Sequence, residues 1–438
     1  MLKKFTNWEE VKKTNFLIIL SIGIAFVFVC TYLKLAFIVK MGLSLAALIW
    51  AFVGDIKYRI IYAIVVGILF QVFLFSFKLP EHSLTVRYFG SGDIIVIIFV
   101  CISIMHFILH KIYSYRMVSS FAIFLLIWSG IFCLILSTQK RYQLIYLSYM
   151  FTGYVLYKYI VSLPYNNDFI KGYVRLLSYL ALMISLYSLY QWIQSGLFGR
   201  PFGVFAHPNC LSGFLSFVFP LTFVYSLSEK KYIYLLFIPF YLCTILLSYS
   251  RSGYLALLIS TLMMFYLLFF ILNKKGCLLL ALIFLPGLVA LFLYKPVFLR
   301  FLSIAAINTD PAIQFRFMFW KLAIKKFLLS PLWGLGENAT EIYRRTGVAF
   351  EHVHNLYLEL LSRGGLIGLG GFLLLIGKLM KGLKTIFLEK KYTSFLRYIS
   401  AGLFCAWISV LVHSFFDVSW FEAADPTLLR LFWINCGI

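Results

Sequence analysis

The chain has 438 residues, of which 62% are apolar and 13% are charged, and its mean hydropathy is +0.93. Soluble domains are about 45–50% apolar and about 25% charged, so this composition excludes an ordinary cytosolic enzyme, a disordered chain and a disulfide scaffold. The formal net charge of +23 lies mostly in short connections between apolar runs, which favours membrane topology over nucleic-acid binding. The sequence therefore predicts an all-α polytopic membrane protein with about 12 to 14 transmembrane helices.

Apolar stretches long enough to cross a bilayer are distributed along the whole chain. Thirteen spans are predicted, at about 16–33, 37–54, 59–77, 93–109, 118–137, 143–163, 174–194, 209–227, 232–249, 253–273, 277–294, 355–377 and 396–416. The final stretch, 427–438, is too short to span unless it only dips into the interface. The predicted divisions are transmembrane helices 1–11 at 1–294, an extracytoplasmic loop at 295–353 and the C-terminal transmembrane helices at 354–438.

The distribution of Lys and Arg predicts the orientation of these spans. With a cytoplasmic amino terminus, the inside connections carry more than twice as many Lys and Arg as the short outside connections. We therefore expect a multi-pass protein of the cytoplasmic (inner) membrane, with its first span retained. The long connection at 295–353 then lies on the extracytoplasmic, or periplasmic, side.

The centre of this long connection has the marks of a helix that rests on the outer leaflet. Asp310 is typical of an N-cap, Pro311 of the first helical position, and Ser330 with Pro331 of the positions past the end. Apolar and aromatic residues mix with cations between these signals, which predicts an amphipathic helix.

Two arginines on the outer side are candidate anion ligands. Arg251, in the motif Ser250-Arg251-Ser252-Gly253, lies where one apolar run closes and the next opens, near headgroup depth. Arg316 lies between two phenylalanines with Trp320 one turn later, where an unpaired charge is costly. A guanidinium presents a planar fork of donors that matches phosphate oxygens. The alternatives are an interfacial anchor for Arg251 and a solvated helix face for Arg316.

His354 stands at the start of an apolar helix on the same side. A histidine in the first turn meets the positive end of the helix dipole, which favours the neutral imidazole that a general base needs. A capping or interfacial histidine is the alternative, and spacing alone does not choose between His354 and His352 as the base. Farther along this helix Arg363 must face protein, water or a phosphate. Glycines around it indicate close helix packing, with a helix break as the alternative: Gly364, Gly365, Gly368, Gly370 and Gly371.

Metal chemistry is not predicted, because the outer side offers neither a DxD pair nor an HExxH motif. No cofactor is expected. The eight cysteines lie in or beside apolar segments without paired spacing, so they indicate neither zinc nor disulfides. A reaction that releases a diphosphate without a metal needs arginines to stabilise the leaving charge, and arginines are what this side provides.

Several motifs in the second half of the chain occur in a common order and on a common side. They are His207-Pro208-Asn209, Ser250-Arg251-Ser252-Gly253, Arg316-x3-Trp320, a Gly-Leu-Gly turn at 334–336, and H-N-x9-G-x-x-G formed by His354, Asn355, Gly365 and Gly368. Together they make the chain resemble the O-antigen ligase and O-antigen polymerase family. The resemblance covers about residues 199–425, while the first six spans match only in being apolar.

This resemblance implies an inverting glycosyltransferase with a membrane-embedded C-class fold and an undecaprenyl diphosphate-linked glycan as donor. It implies that Arg251 and Arg316 bind the diphosphate, that His354 deprotonates the acceptor hydroxyl, and that Asn355 helps to orient the site. The further candidate substrate-binding residues are Arg200, His207, Asn209 and Trp320.

The predicted function is metal-independent transfer of a glycan from undecaprenyl diphosphate to an acceptor sugar hydroxyl, with repeat-unit polymerisation for O-antigen or capsule favoured. Ligation to lipid A-core or another acceptor uses the same donor chemistry and is the main alternative. A transporter or flippase for lipid-linked sugars is a different alternative, which would need charges along a path through the midplane. A non-catalytic sensor or assembly partner is a third. The expected partners are the lipid-linked glycan, an acceptor glycan or glycolipid and membrane lipids, with no nucleic acid.

Overall fold

The computed structural model describes residues 65, 73–78, 86–90, 120–136, 140–163, 166–272, 274–303, 310–336, 352–421 and 427–437. The chain divides into two compact units, Met1–Phe99 and Val100–Ile438. Three predicted spans, at 16–33, 37–54 and 93–109, lie outside the described residues.

In the first unit the described residues include two paired β-strands. Strand β1 (Phe73–Lys78) pairs antiparallel with strand β2 (Val86–Gly90), and the register places Phe73 opposite Gly90 and Lys78 opposite Val86. The predicted span at 59–77 therefore ends in a strand rather than a helix. Aromatic residues are enriched in strands, and three of the six residues of β1 are phenylalanine.

The described part of the second unit is helical. Its helices are α1 (Ser120–Leu136), α2 (Lys140–Ser162), α3 (Asn167–Gln194), α4 (Pro208–Ser228), α5 (Ile238–Leu247), α6 (Arg251–Leu267), α7 (Lys274–Leu293), α8 (Lys295–Leu302), α9 (Pro311–Leu329), α10 (Leu356–Leu388), α11 (Ser394–Phe416) and α12 (Thr427–Gly437). A 3₁₀ turn at Tyr232–Phe237 leads into α5, a π turn at Leu268–Leu272 extends α6, and a 3₁₀ turn at Ser419–Phe421 follows α11.

The predicted fold class, an all-α polytopic membrane protein, is confirmed in this unit. Within the described residues, five helices are long and apolar enough to cross a membrane. They are α3, α4, α6 with its π turn, α10 and α11. Each predicted span from 118–137 onward coincides with helix over most of its described residues, and residues 427–437 of the short final stretch form the buried helix α12.

Helix α4 forms the centre of the second unit. It is almost entirely buried and packs against α3, α6 and α11. Small residues allow this close approach, since a Cβ on Gly253 of α6 would lie 2.6 Å from the Ser212 side chain of α4. The close packing of α4, α6 and α11 holds the ends of these three helices in fixed positions relative to one another.

Helix α9 confirms the boundaries predicted for the helix in the long connection. The Asp310 carboxylate caps it by accepting a hydrogen bond from the Ala312 N–H at 2.9 Å, Pro311 is the first helical residue, and Ser330 follows the end. Its buried side, at Phe319 and Ala323, packs against Val353 just before α10.

Helix α10 breaks at Gly365, where φ is 60° and ψ is −159°. The segment Pro331–Gly336 after α9 binds the break through backbone hydrogen bonds, which run from Leu335 to Ser362, Gly336 to Arg363, Leu366 to Pro331 and Ile367 to Leu332. A Cβ at Gly365 would lie 2.3 Å from the Leu332 carbonyl oxygen. The predicted packing role is correct for Gly364 and Gly368, which lie against Ser129 of α1. It is incomplete for Gly365, which supplies the left-handed conformation at the break.

Candidate functional site

The site begins at the tight turn that joins α5 to α6. Tyr249 has a left-handed φ of 51°, and Ser250 caps α6 by accepting a hydrogen bond from the Gly253 N–H at 3.2 Å. Arg251 is therefore the first residue of α6. It is only 7% exposed, and its Nη1 lies 2.6 Å from Oδ2 of Asp310, the N-cap of α9. The salt bridge joins the N-termini of α6 and α9.

Two more arginines bind the backbone of the same turn. Arg200 donates from Nε to the Ser248 carbonyl at 2.8 Å, and Arg300 donates from Nε to the Tyr249 carbonyl at 3.1 Å. Arg200 also donates from Nη2 to Oδ1 of Asn209 at 3.4 Å. The Nε hydrogen bonds thus hold both guanidinium groups at the turn that carries Arg251.

Arg316 of α9 belongs to this electrostatic cluster. Burial lowers the pKa of Arg316, Asp417 opposes the effect, and the positive charges of Arg251 and Arg300 lower the pKa further. Arg316 therefore lies in the electric field of Arg251, Arg300 and Asp417. Among the described residues, Arg316 makes no hydrogen bond or ion pair, so its guanidinium is available to a ligand.

His354 lies immediately before α10 in a left-handed conformation, with φ at 54°. The next residue, Asn355, is buried and caps α10 by accepting a hydrogen bond from the Leu358 N–H at 3.0 Å. The Nδ1 atom of His354 lies 3.6 Å from Oδ2 of Asp417, and the imidazole is 22% exposed. A left-handed histidine is uncommon and strained, and such strain concentrates at functional sites.

Asp417 is a functional candidate that was absent from the predicted site residues. It directly follows α11, is 3% exposed, and accepts hydrogen bonds from Asn209 Nδ2 at 2.7 Å and from the N–H and hydroxyl of Ser419. Burial raises the pKa of Asp417, but the adjacent His354 and the more distant histidines outweigh burial, and the pKa lies well below its usual range. The sequence signal was only an acidic residue after a span, at the outer end of α11 in the predicted orientation.

His352 packs edge-on against His354, with the ring centroids 4.3 Å apart. Burial lowers the pKa of His352 to about 3, and the charges of His354, His207 and Arg316 act in the same direction. His352 therefore remains neutral at physiological pH.

The structure brings together most of the predicted site residues. A chain of polar contacts runs from Arg200 through Asn209 and Asp417 to His354. His207 is exposed at the N-terminus of α4. Trp320 packs against Phe317 and Phe415, and its Nε1 is buried with no hydrogen-bond partner among the described residues.

Arg363 faces protein, one of the possibilities that its depth predicted. Its Nε lies 3.0 Å from Oε1 of Glu359, one turn earlier in α10. The other oxygen of Glu359 accepts a hydrogen bond from the Val353 N–H at 3.3 Å. This buried ion pair therefore supports the segment that carries His354.

Within the described residues, no group of three or more His, Cys, Asp and Glu side chains could hold a metal ion. The acidic residues at 337, 341 and 351 lie outside the described part of the chain. The expectation of metal-independent chemistry stays a prediction.

The comparison with known families concerns the segment that carries much of this site. Residues 235–373 match the family model described as O-antigen ligase. Residues 235–373 are thus similar to the O-antigen ligase family, and the predicted resemblance is confirmed over this segment. The matched segment includes Arg251, Arg300, Arg316 and His354, and it ends before Asp417. No curated protein matches the chain. The family match indicates a glycosyl-transferring membrane enzyme of the ligase and polymerase type.

Proposed function

We propose that the chain is an inverting glycosyltransferase that moves a glycan from undecaprenyl diphosphate to the hydroxyl of an acceptor sugar, with His354 as general base. The observation that carries the proposal is the His354–Asp417 pair beside a cluster of arginines. A base next to a concentration of positive charge is what transfer from a diphosphate donor requires.

The orientation of His354 supports its role as base. A hydrogen on Nδ1 directed at the Asp417 carboxylate leaves the lone pair on Nε2, so Nε2 accepts the proton of the acceptor hydroxyl. The hydroxyl oxygen bonds to the anomeric carbon as the bond from that carbon to the diphosphate oxygen breaks. The 3.6 Å separation of Nδ1 and Oδ2 shortens as the imidazole becomes positive, and Asp417 stabilises that charge.

The arginines supply the positive charge that stabilises the leaving diphosphate. The leaving diphosphate carries the electron pair of the broken bond, and Arg251 and Arg316 bind it through charge-assisted hydrogen bonds. Arg200 and Asn209 connect this cluster to Asp417. Arg251 is paired with Asp310 and exchanges this carboxylate for a phosphate when the donor binds.

His352 does not compete with His354 for the proton. With a pKa of about 3, the neutral His352 imidazole is too weak a base near pH 7. Its edge-on contact with His354 instead restricts the orientation of the catalytic ring.

The bias of Lys and Arg supports a site on the extracytoplasmic side of the inner membrane, with a cytoplasmic amino terminus. On that side the natural donor is a lipid-linked glycan and the acceptor a glycan or glycolipid. We favour the repeat-unit polymerase over the ligase, which differs only in the acceptor.

The test uses the purified full chain in lipid nanodiscs with undecaprenyl diphosphate-linked repeat units and a chelator, with and without a second acceptor. A ladder of products is expected, whereas a single adduct that needs the second acceptor would identify a ligase. His354→Ala and Arg251→Ala should both lose the product. Arg397→Ala is the control, since Arg397 binds the Phe387 carbonyl away from the site. Product formation that persists in both site variants would refute the proposed enzyme and favour a flippase or an assembly role.

A further inference from the structure

Three arginines converge on four consecutive residues, Ser248 to Arg251. Arg251 is part of the turn, while Arg200 donates from Nε to the Ser248 carbonyl and Arg300 donates from Nε to the Tyr249 carbonyl. Neither Arg300 nor the helix α8 that carries it was a predicted site element. In the sequence, Arg300 is one of 39 basic residues, with no motif to distinguish it.

The hydrogen bond from Nε of Arg300 restricts the side chain but leaves the donors of both terminal amines for a ligand. The Nε–H is directed at the Tyr249 carbonyl, and in the described part of the chain neither terminal amine makes a hydrogen bond. The residue as a whole is half-buried. An arginine that is fixed by one edge presents its other donors with little loss of conformational entropy.

The balance of charge around the turn favours an anion. The carboxylate of Asp310 pairs with Arg251, but Arg200, Arg300 and Arg316 have no carboxylate within salt-bridge distance among the described residues. Burial lowers the pKa of Arg300, and the nearby Arg251 lowers it further, whereas Asp310 opposes these effects. Like charges held together in this way repel one another, and a ligand with several negative charges would relieve the repulsion.

We propose that Arg300 is a further diphosphate-binding residue, which contacts the phosphate oxygens of the donor through its terminal amines while its Nε stays on the Tyr249 carbonyl. The inference rests on the proposed function, since it assumes a diphosphate donor at Arg251 and Arg316. With Arg300 the site has enough guanidinium groups to contact both phosphates at once. Undecaprenyl diphosphate should therefore bind more tightly than undecaprenyl phosphate.

If Arg300 only clamped the turn, its replacement would weaken the binding of both lipids equally and lower the melting temperature. Arg300→Gln separates this structural role from diphosphate binding. Glutamine keeps an N–H donor for the Tyr249 carbonyl and removes the charge. Arg300→Lys keeps the charge and removes the planar fork. Arg397→Gln is the matched control, because the Nε of Arg397 also binds a backbone carbonyl, that of Phe387 at 3.1 Å.

The experiment measures binding of undecaprenyl diphosphate and undecaprenyl phosphate to the full chain in nanodiscs, with the melting temperature of each variant. We expect Arg300→Gln to weaken diphosphate binding at least about tenfold and monophosphate binding about threefold or less, with an unchanged melting temperature. Arg300→Lys should lie between wild type and Arg300→Gln, and Arg397→Gln should bind both lipids normally.

Diphosphate binding by Arg300→Gln within twofold of wild type would overturn the inference. An equal loss for both lipids together with a lower melting temperature would also overturn it and identify a clamp. Arg251→Ala and Arg316→Ala separate this failure from that of the proposed function. If they lose diphosphate binding and Arg300→Gln does not, only the role of Arg300 is wrong. If none of the three weakens binding, the donor site itself is wrong.

Discussion

Replacement of Asp417 by asparagine tests the pair on which the proposed chemistry depends. Asparagine keeps the size of the side chain and can still accept the hydrogen bond from the Ser419 N–H, but it removes the negative charge that faces Nδ1 of His354. The charge matters most when the imidazole has accepted the proton. We therefore expect the turnover rate to fall while donor binding is maintained.

The size of the effect follows from the geometry. Two unit charges 3.6 Å apart interact by about 4 to 5 kcal/mol at an effective dielectric constant of about 20. His354 is 22% exposed, and screening by solvent reduces this figure to about 2 to 3 kcal/mol. At 1.36 kcal/mol per factor of ten, the turnover rate should fall roughly 30- to 150-fold.

The assay is the initial rate of glycan transfer with saturating donor, measured for wild type, Asp417→Asn and Asp417→Glu. The glutamate variant restores the charge and should recover part of the rate. Asp168→Asn is the control, because Asp168 is exposed in the first turn of α3 and should not affect the rate. A turnover rate within threefold of wild type for Asp417→Asn, in a protein with normal melting temperature, would refute the role assigned to Asp417.

Three further predictions concern the supports of the site. Gly365→Ala should destabilise the protein by about 2 to 4 kcal/mol, because φ is 60° there and the Cβ would meet the Leu332 carbonyl. Gly370→Ala is the control and should be neutral or stabilising, since no atom lies within 4 Å of its Cβ; equal melting temperatures of the two variants would contradict the helix break at Gly365. Asp310→Asn removes the carboxylate that competes for Arg251 and should tighten undecaprenyl diphosphate binding severalfold in a titration, while weaker binding would show that Asp310 orients Arg251. The pKa values of Asp417 and Asp310 lie below their usual value of 3.8, so both carboxylates stabilise the fold above about pH 4 and lose this effect as the pH falls below it. The melting temperatures of wild type and Asp417→Asn should therefore converge in acid, and a difference that stays constant with pH would contradict the lowered pKa of Asp417.

The sequence predicted best what local signals determine. The bounds of α9 depend on a cap and two prolines, which act within a few residues of each helix end, so Asp310, Pro311 and Ser330 could be placed without the fold. The apolar spans of the second unit were predictable for a similar reason, since about 20 apolar residues can form little else in a bilayer.

The residues that sequence reasoning missed depend on contacts between distant segments. The pairing of Asp417 with His354 joins α11 to α10, and the bond from Arg300 to Tyr249 joins α8 to the turn before α6. Both pairs join residues that lie at least 51 positions apart along the chain, where local sequence signals give no information. The break at Gly365 likewise depends on the segment after α9, which supplies partners for backbone groups that the helix leaves unpaired.

The site is also a meeting point of helix N-termini. Helix N-termini and guanidinium groups are both positive, so their concentration at one place favours an anionic ligand. Asn209 lies in the first turn of α4, Arg251 begins α6, Asp310 caps α9, and His354 precedes the cap of α10. Contacts among these residues and Asp417 join the four ends in two pairs, α4 with α10 and α6 with α9.

Each helix end adds about half a positive charge to its surroundings, so the dipoles oppose the arginines and favour phosphate in the same place. The left-handed residues Tyr249 and His354 each immediately precede an N-cap at this site. Such a conformation costs about 1 to 3 kcal/mol and persists only where the surroundings enforce it. Here the caps and the buried Glu359–Arg363 pair supply that support, and the result is an imidazole and an arginine held at the N-termini of α10 and α6.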